Sequence, residues 1–168
     1  EALETLRMSH IDGVIAKYRA KRDDIKEALK ENYSANIFNP FNSGSFAKHS
    51  AINTKFDLDL VAPFKRNSFY TIESMFQDVF NFLEEKYGQT GKANVRKQKV
   101  SIGVQFYSDD EGDEINIDVV PGRELTIDNY PDTKNLNVYF NDDQWGFSKG
   151  TYTQTNIQAQ IDHIKGNE

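Results

Sequence analysis

The sequence predicts one α+β domain in which a mixed β-sheet carries helices on one face and a long N-terminal strut helix. Three observations lead to this prediction. The chain has 168 residues, 38% of them hydrophobic, which is enough for a single buried core. Apolar residues recur at helical spacing in two long segments and alternate with polar or acidic residues in several shorter ones. The predicted helices and strands alternate along the chain, so the predicted sheet contains strands from both halves of the chain.

The first half of the chain predicts a helix followed by two extended segments. Apolar residues recur every three to four positions from Leu3 to about Asn32, and no proline interrupts them. The segment Asn36–Ser45 is aromatic and rich in Asn, Pro, Gly and Ser, which predicts an extended stretch that ends in a tight turn. Asp57–Phe64 alternates and is apolar between its acids, as a half-buried strand is.

The second half predicts another helix and a hairpin. Helical spacing returns in Thr71–Tyr87. The runs Lys97–Tyr107 and Ile115–Val120 alternate and are joined by an acidic turn that contains glycine, which predicts an antiparallel hairpin. Leu136–Phe140 is a further candidate strand, and a last helix is predicted to start near Thr155.

The composition excludes several classes of protein. With 26 acidic and 20 basic residues the formal charge is −6, so we expect no strong nucleic-acid binding, which needs a clustered positive surface. The absence of cysteine excludes thiolate metal ligands, and three histidines leave little room for an imidazole zinc site. No apolar run has the length of a membrane span and the N-terminal residues lack a signal-peptide pattern, so we expect a cytoplasmic protein without membrane contact.

Three aspartates are the candidate catalytic and metal-binding residues. Asp57 and Asp59 stand two positions apart on a predicted strand and therefore project from the same face. Adjacent carboxylates repel unless a cation lies between them, and Leu58 and Leu60 favour an interior strand over a pair that faces solvent. Asp118 lies in an apolar run and joins the pair if the hairpin lies beside the Asp57 strand. The alternative for Asp118 is an edge strand from which it points outward.

The candidate nucleotide-binding residues are Gly44, Ser45 and Lys48. A Gly-Ser pair is often only a turn, but it also allows the backbone to approach a phosphate closely, with the serine hydroxyl and local N–H groups as donors. The GxxxxGK[ST] phosphate-binding pattern is absent. Lys48 either neutralises a phosphate or is an ordinary surface lysine. Three carboxylates near such a turn suit two Mg²⁺ ions, or Mn²⁺ in their place, that hold a nucleoside triphosphate.

The segments GSFAKHSAINTKFDLDLVAPF and IDVVPGR resemble the DNA polymerase β-like nucleotidyltransferase superfamily. Its pattern is Gly-Ser, about a dozen residues, Asp-x-Asp, and a distant third aspartate on a strand; eleven residues separate Ser45 from Asp57 here. Within the superfamily, the runs LRMSH, GSFAKHSAI and DVVPGR are most similar to the cGAS/DncV-like nucleotidyltransferases (CD-NTases), the second-messenger synthases of bacterial anti-phage signalling.

The resemblance implies a polymerase β-like nucleotidyltransferase core and roles for individual residues. Asp57 and Asp59 would ligate two Mg²⁺ ions, and Asp118 would complete the site of the ion that activates the attacking ribose hydroxyl. Gly44 and Ser45 would hold the β- and γ-phosphates of the donor. The reaction implied is the joining of NTPs such as ATP or GTP into a cyclic di- or trinucleotide, with release of pyrophosphate and with a regulatory protein as a further partner.

Two other functions stay open at this point. One is transfer of AMP to a protein or an RNA, and the other is nucleotide binding by a domain that has lost catalysis. The family's enzymes have a second, helical lobe, and this sequence ends where that lobe would begin. We therefore expect residues 1–168 to be the catalytic core alone.

Overall fold

The computed structural model describes residues 2–43, 48–49, 54–55, 58–110, 112–141 and 149–153. The described helices are α1 (Ala2–Tyr33), α2 (Ile72–Leu83) and the short α3 (Tyr130–Thr133). Two 3₁₀ turns, Ser34–Asn36 and Arg66–Ser68, and one π turn, Glu84–Gly88, connect them to the strands. None of the described helices combines the length and the apolar character that crossing a membrane requires.

The described strands form one large sheet and one small hairpin. The strands are β1 (Phe41–Ser43), β2 (Lys48–His49), β3 (Thr54–Lys55), β4 (Leu58–Phe64), β5 (Ala93–Lys97), β6 (Ile102–Phe106), β7 (Ile115–Glu124), β8 (Asn135–Tyr139) and β9 (Lys149–Thr153). The large sheet has the order β1-β4-β7-β6-β5, with β8 paired to β7 and β9 paired to β8, and β2 pairs only with β3. Only β4 and β7 are parallel among these pairs, so the sheet is mixed, as predicted.

One face of the sheet packs against α1 and α2. Alternate residues of β4, β5, β6 and β7 point to this face because side chains alternate along a strand. They meet the apolar faces of the two helices in the main core. The largest fully buried side chains of this core are Tyr87 of the π turn, Ile25 and Leu29 of α1, Met75 and Leu83 of α2, Leu60 and Phe64 of β4, Ile102 of β6 and Ile117 of β7.

The opposite face carries a smaller apolar cluster near β8. Val61 of β4 and Val120 of β7 contact this cluster, and Phe38 and Phe41 pack against it from outside. The remaining members are Val100, Tyr130, Leu136, Val138 and Phe140. Because this face has no long helix over it among the described residues, it leaves room for polar side chains at the start of β4 and in the middle of β7.

Two tyrosine hydroxyls tie α1 and α2 together at both ends of their contact. Tyr33, at the end of α1, donates to Oδ1 of Asp78 on α2 at 2.6 Å. Tyr87, in the π turn after α2, donates to Oδ2 of Asp24 on α1 at 2.8 Å. Burial, and then the hydrogen bond to its aspartate, raises the pKa of each tyrosine above its usual range. Both phenols therefore stay protonated donors in the folded chain at alkaline pH.

The description of α1 as a strut along the outside is not confirmed. The helix does extend over Ala2–Tyr33. From Tyr18 onward, however, its apolar residues are buried in the main core against the sheet. The second half of α1 is thus a layer of the domain, because residues spaced three to four apart present one continuous apolar face.

Other sequence predictions need correction near the hairpin. Lys97–Tyr107, predicted as one strand, is divided by a turn. In this turn the backbone N–H of Gln98 donates a hydrogen bond to the Ser101 carbonyl. Lys97 ends β5, and β6 begins after this turn, so an additional hairpin, β5–β6, precedes β7. Strand β9 was not predicted, and the helix expected near Thr155 lies outside the described residues.

We predict that the double variant Tyr33→Phe, Tyr87→Phe is less stable than the wild type by about 1–3 kcal/mol for each hydroxyl at pH 7, because each phenol donates to a carboxylate. Tyrosine in the unfolded chain ionises near pH 10, whereas these two remain neutral in the folded chain. Their contribution is therefore present below about pH 10 and is lost above it.

Urea unfolding of both proteins across this pH range measures the effect. The stability difference should narrow above about pH 10, and a difference that stays constant would contradict the assigned cause. Tyr70→Phe is the control, since Tyr70 is 95% exposed.

Candidate functional site

Asp59 and Asp118 lie directly opposite one another at the centre of the sheet. The parallel register of β4 and β7 pairs Asp59 with Asp118, one position after the pair of Leu58 with Ile117. Asp59 is 0% exposed and Asp118 is 4% exposed. Since paired residues on neighbouring strands project from the same face, both carboxylates lie on the face that carries the smaller apolar cluster. The prediction that the hairpin lies beside the Asp57 strand is confirmed.

Burial of two facing carboxylates is unfavourable unless a positive group compensates them. Oδ2 of Asp59 and Oδ1 of Asp118 are buried and have no hydrogen-bond partner within the described part of the chain, although both residues make other interactions. Carboxylate oxygens held in this way are the ligands that Mg²⁺ and Mn²⁺ prefer. The two aspartates therefore fit a divalent cation.

The third predicted ligand, Asp57, lies outside the described residues. Within the described part of the chain, no group of three or more His, Cys, Asp or Glu side chains is arranged to hold a metal ion. Because Asp57 lies outside the described residues, the finding covers only Asp59 and Asp118 of the three predicted aspartates.

The predicted nucleotide-binding turn follows directly after β1. Ser43, the last residue of β1, pairs with Asp59 and is buried. Gly44 and Ser45 come next in the chain but lie outside the described residues. Lys48 lies on β2, where its backbone pairs with Lys55 of β3. The chain thus enters the predicted phosphate-binding turn beside the Asp59 position.

A glutamine that sequence reasoning missed lies on the other side of Asp118. Strand β6 places Gly103 opposite Asp118, and the Gln98 side chain lies over this glycine. The hydroxyl of the fully buried Ser101 donates to Oε1 of Gln98 at 2.6 Å. A glycine inside a strand often marks a close approach by another group, and this was the available sequence signal.

Arg123, which follows the Pro121-Gly122 pair on β7, donates to the Phe69 carbonyl at 2.9 Å. Burial, and then the nearby Arg66, lowers the pKa of Arg123. Its side chain projects from the helix-covered face of β7, because it lies an odd number of positions from Asp118. Arg123 therefore supports the fold away from the carboxylates.

The acidic turn between β6 and β7 contacts α1. Lys17 forms ion pairs with Asp109 at 2.7 Å and with Asp113 at 2.6 Å. Nε2 of His10 lies 3.6 Å from Oδ1 of Asp113. The turn thus anchors the hairpin to the first helix.

Solved structures with a similar backbone identify the fold. CdnE cyclic dinucleotide synthase from Elizabethkingia meningoseptica, solved with GTP and Apcpp, aligns with 84% of this chain at a TM-score of 0.58 and 16% identity. CdnC from E. coli, solved with ATP, aligns with 90% at a TM-score of 0.52 and 17% identity. The chain has the fold of the cyclic dinucleotide synthases. DncV cyclic AMP-GMP synthase from Vibrio cholerae aligns with 74% at a TM-score of 0.52 and 11% identity.

These similarities confirm the predicted resemblance to the CD-NTases at the level of the fold. The aligned region is 49% of CdnE, 45% of CdnC and 33% of DncV, so the chain spans less than half the length of each. No protein-family model and no curated protein sequence matches the chain. The likeness is therefore one of backbone architecture.

We predict that Asp59→Asn makes the metal-free chain more stable, because it removes one of two facing buried charges. Two unit charges about 4 Å apart repel by ~1 kcal/mol in water and ~4 kcal/mol at the effective dielectric of a protein, so we expect a gain within this range. Urea unfolding at pH 7 in the presence of EDTA measures it. Asp132→Asn, an equivalent change at an exposed position, should leave stability unchanged. A loss of stability in Asp59→Asn would show that the Asp59 carboxylate is stabilised by its surroundings without a cation.

Proposed function

We propose that this chain is the catalytic core of a Mg²⁺-dependent nucleotidyltransferase that joins NTPs into a cyclic di- or trinucleotide and releases pyrophosphate. The observation that carries the proposal is the pairing of Asp59 with Asp118, both buried, at the centre of a sheet with the fold of the cyclic dinucleotide synthases. The spacing of eleven residues between Ser45 and Asp57 supports the same function.

Each proposed residue has a distinct task. Asp57 and Asp59 would hold the two divalent ions, and Asp118 would complete the site of the ion that activates the attacking ribose hydroxyl. When bound, these ions supply charge for the triphosphate and lower the pKa of the attacking hydroxyl. Gly44 and Ser45 bind the β- and γ-phosphates through N–H and O–H donors, and Lys48 neutralises part of their charge.

The buried position of the two aspartates supports a catalytic role over that of ordinary surface carboxylates. A carboxylate on an interior strand keeps one orientation because its neighbours are packed side chains, whereas an exposed carboxylate samples several. Strand pairing fixes the distance between the backbones of the two aspartates at the spacing of adjacent strands, about 4.8 Å. Such preorganisation favours charge stabilisation in a transition state because little reorganisation is needed.

The proposed substrates are ATP, GTP or other NTPs, as in the similar structures solved with GTP or ATP. One E. coli CdnC structure is a complex with a HORMA protein, and we propose a regulatory protein partner here too. A cytoplasmic location and a role in anti-phage signalling follow from the same proposal.

The experiment that tests this function is incubation of the full-length protein with each labelled NTP and Mg²⁺, with Asp118→Asn as the inactive control. We expect a cyclic oligonucleotide and pyrophosphate from the wild type and neither from the variant. A metal-held geometry lowers the activation barrier by several kcal/mol, so activity in the variant should fall by at least about a hundredfold.

The alternative functions give different products in the same assay. Label attached to protein or to added RNA would identify an AMP transferase and contradict cyclic nucleotide synthesis. NTP binding without any product would identify a nucleotide-binding domain and would also contradict the proposal.

A further inference from the structure

The space beside Asp118 on the β6 side is occupied by the amide of Gln98. A Cβ atom placed on Gly103 would lie 2.8 Å from Nε2 of Gln98 and 3.5 Å from Oδ1 of Asp118. The amide nitrogen and the carboxylate oxygen are thus both within 3.5 Å of one point. Any side chain at position 103 would displace this amide, so the glycine is what allows the Gln98 amide to lie over β6 beside Asp118. In this structure the amide makes no hydrogen bond to Oδ1 of Asp118.

The hydroxyl of Ser101 fixes which end of the amide faces the site. Ser101 is 0% exposed, and its Oγ donates to Oε1 of Gln98 at 2.6 Å. An amide oxygen accepts hydrogen bonds and an amide nitrogen donates two. With Oε1 engaged by Ser101, the Nε2 donors are the free end of the side chain, and this end lies over Gly103.

The turn that carries Gln98 is anchored on both sides. The backbone N–H of Gln98 donates to the Ser101 carbonyl at 2.8 Å. On the other side, the Asn141 side chain donates to the Gln98 carbonyl, and the Asn141 backbone N–H donates to the Lys99 carbonyl. Val100, within the turn, is buried in the smaller apolar cluster. These contacts restrain the Gln98 backbone, which a side chain with a precise task requires.

The groups that face Asp118 differ between its two neighbouring strands. From β4 it meets the carboxylate of Asp59, which repels it. From β6 the residues on the same face are Gly103 and Gln105, which are uncharged. Gln98 therefore supplies N–H donors on the side of Asp118 opposite to the repelling carboxylate.

We infer that Gln98 is a positioning residue: its amide N–H group, oriented by Ser101 and admitted by Gly103, donates to Oδ1 of Asp118 when the site binds a divalent cation and so orients the other carboxylate oxygen toward that cation. This inference rests on the proposed metal-dependent function. Gln98 acts through Asp118 and is not itself a metal ligand. Hydrogen-bond partners of metal-ligating carboxylates typically change metal affinity by about 10–100-fold when they are removed.

The test measures Mn²⁺ affinity by isothermal titration calorimetry in this chain without nucleotide. Gln98→Met removes the donors and keeps the length of the side chain. Gly103→Ala displaces the amide while leaving Gln98 in place. We expect both variants to bind Mn²⁺ about 10–100-fold more weakly than the wild type, and Ser101→Ala to show a smaller loss in the same direction.

Matched controls separate this effect from general damage to the fold. Gln89→Met makes the same change at an exposed glutamine, and Gly13→Ala makes the same change at a glycine with nothing within 4 Å of an added Cβ. Both should bind Mn²⁺ like the wild type. Urea unfolding of the metal-free proteins accompanies the titrations, because a merely structural role would lower stability and leave the affinity of the folded chain unchanged.

The outcomes distinguish the inference from the function on which it rests. Weaker Mn²⁺ binding by Gln98→Met and Gly103→Ala, with stability near that of the wild type, supports the positioning role. Unchanged Mn²⁺ affinity in both variants overturns it and leaves the proposed metal site standing. A wild-type chain that binds no Mn²⁺ overturns the proposed metal-dependent function itself, and the positioning role with it.

Discussion

The repulsion between two buried carboxylates is the interaction on which the remainder of this structure depends. Asp59 and Asp118 face each other across the parallel pair β4 and β7, where neither has access to bulk water. Like charges at the distance of adjacent strands oppose folding of the metal-free chain. The surrounding packing must therefore hold β4 and β7 together against this force, which the proposed cation would relieve.

The helix-covered face supplies that packing. Leu60 and Ile117, the neighbours of the two acids along their strands, are fully buried against α1 and α2. The helices are in turn tied to each other through Tyr33 with Asp78 and Tyr87 with Asp24. One face of β4 and β7 thus contributes most of the apolar burial, while the other face bears the carboxylates of Asp59 and Asp118, a separation that follows from the two-residue period of a strand.

The sequence predicted the two paired aspartates better than it predicted the elements around them. Asp59 and Asp118 could be predicted because alternation with leucine, isoleucine and valine is a local pattern. The parallel pairing of their strands could only be assumed, because it joins segments almost sixty residues apart through non-local contacts.

Other features depended on register and could not be predicted. The approach of Gln98 to Asp118 requires β6 to place Gly103 opposite that aspartate, and the hydrogen bonds of Tyr33 and Tyr87 require the packing of α1 on α2. Strand β5 was missed because its five residues contain only two apolar side chains, too few for a distinct period.

The central claim is that the divalent cation binds between β4 and β7, and paramagnetic broadening by Mn²⁺ tests it most directly. In an assigned NMR spectrum of this chain, low Mn²⁺ concentrations should first broaden the amide signals around Asp59 and Asp118. The double variant Asp59→Asn, Asp118→Asn should abolish this broadening. The acidic turn with Asp109 and Asp113 is the competing cluster of carboxylates. Broadening that begins at that turn and is unchanged in the double variant would contradict the account.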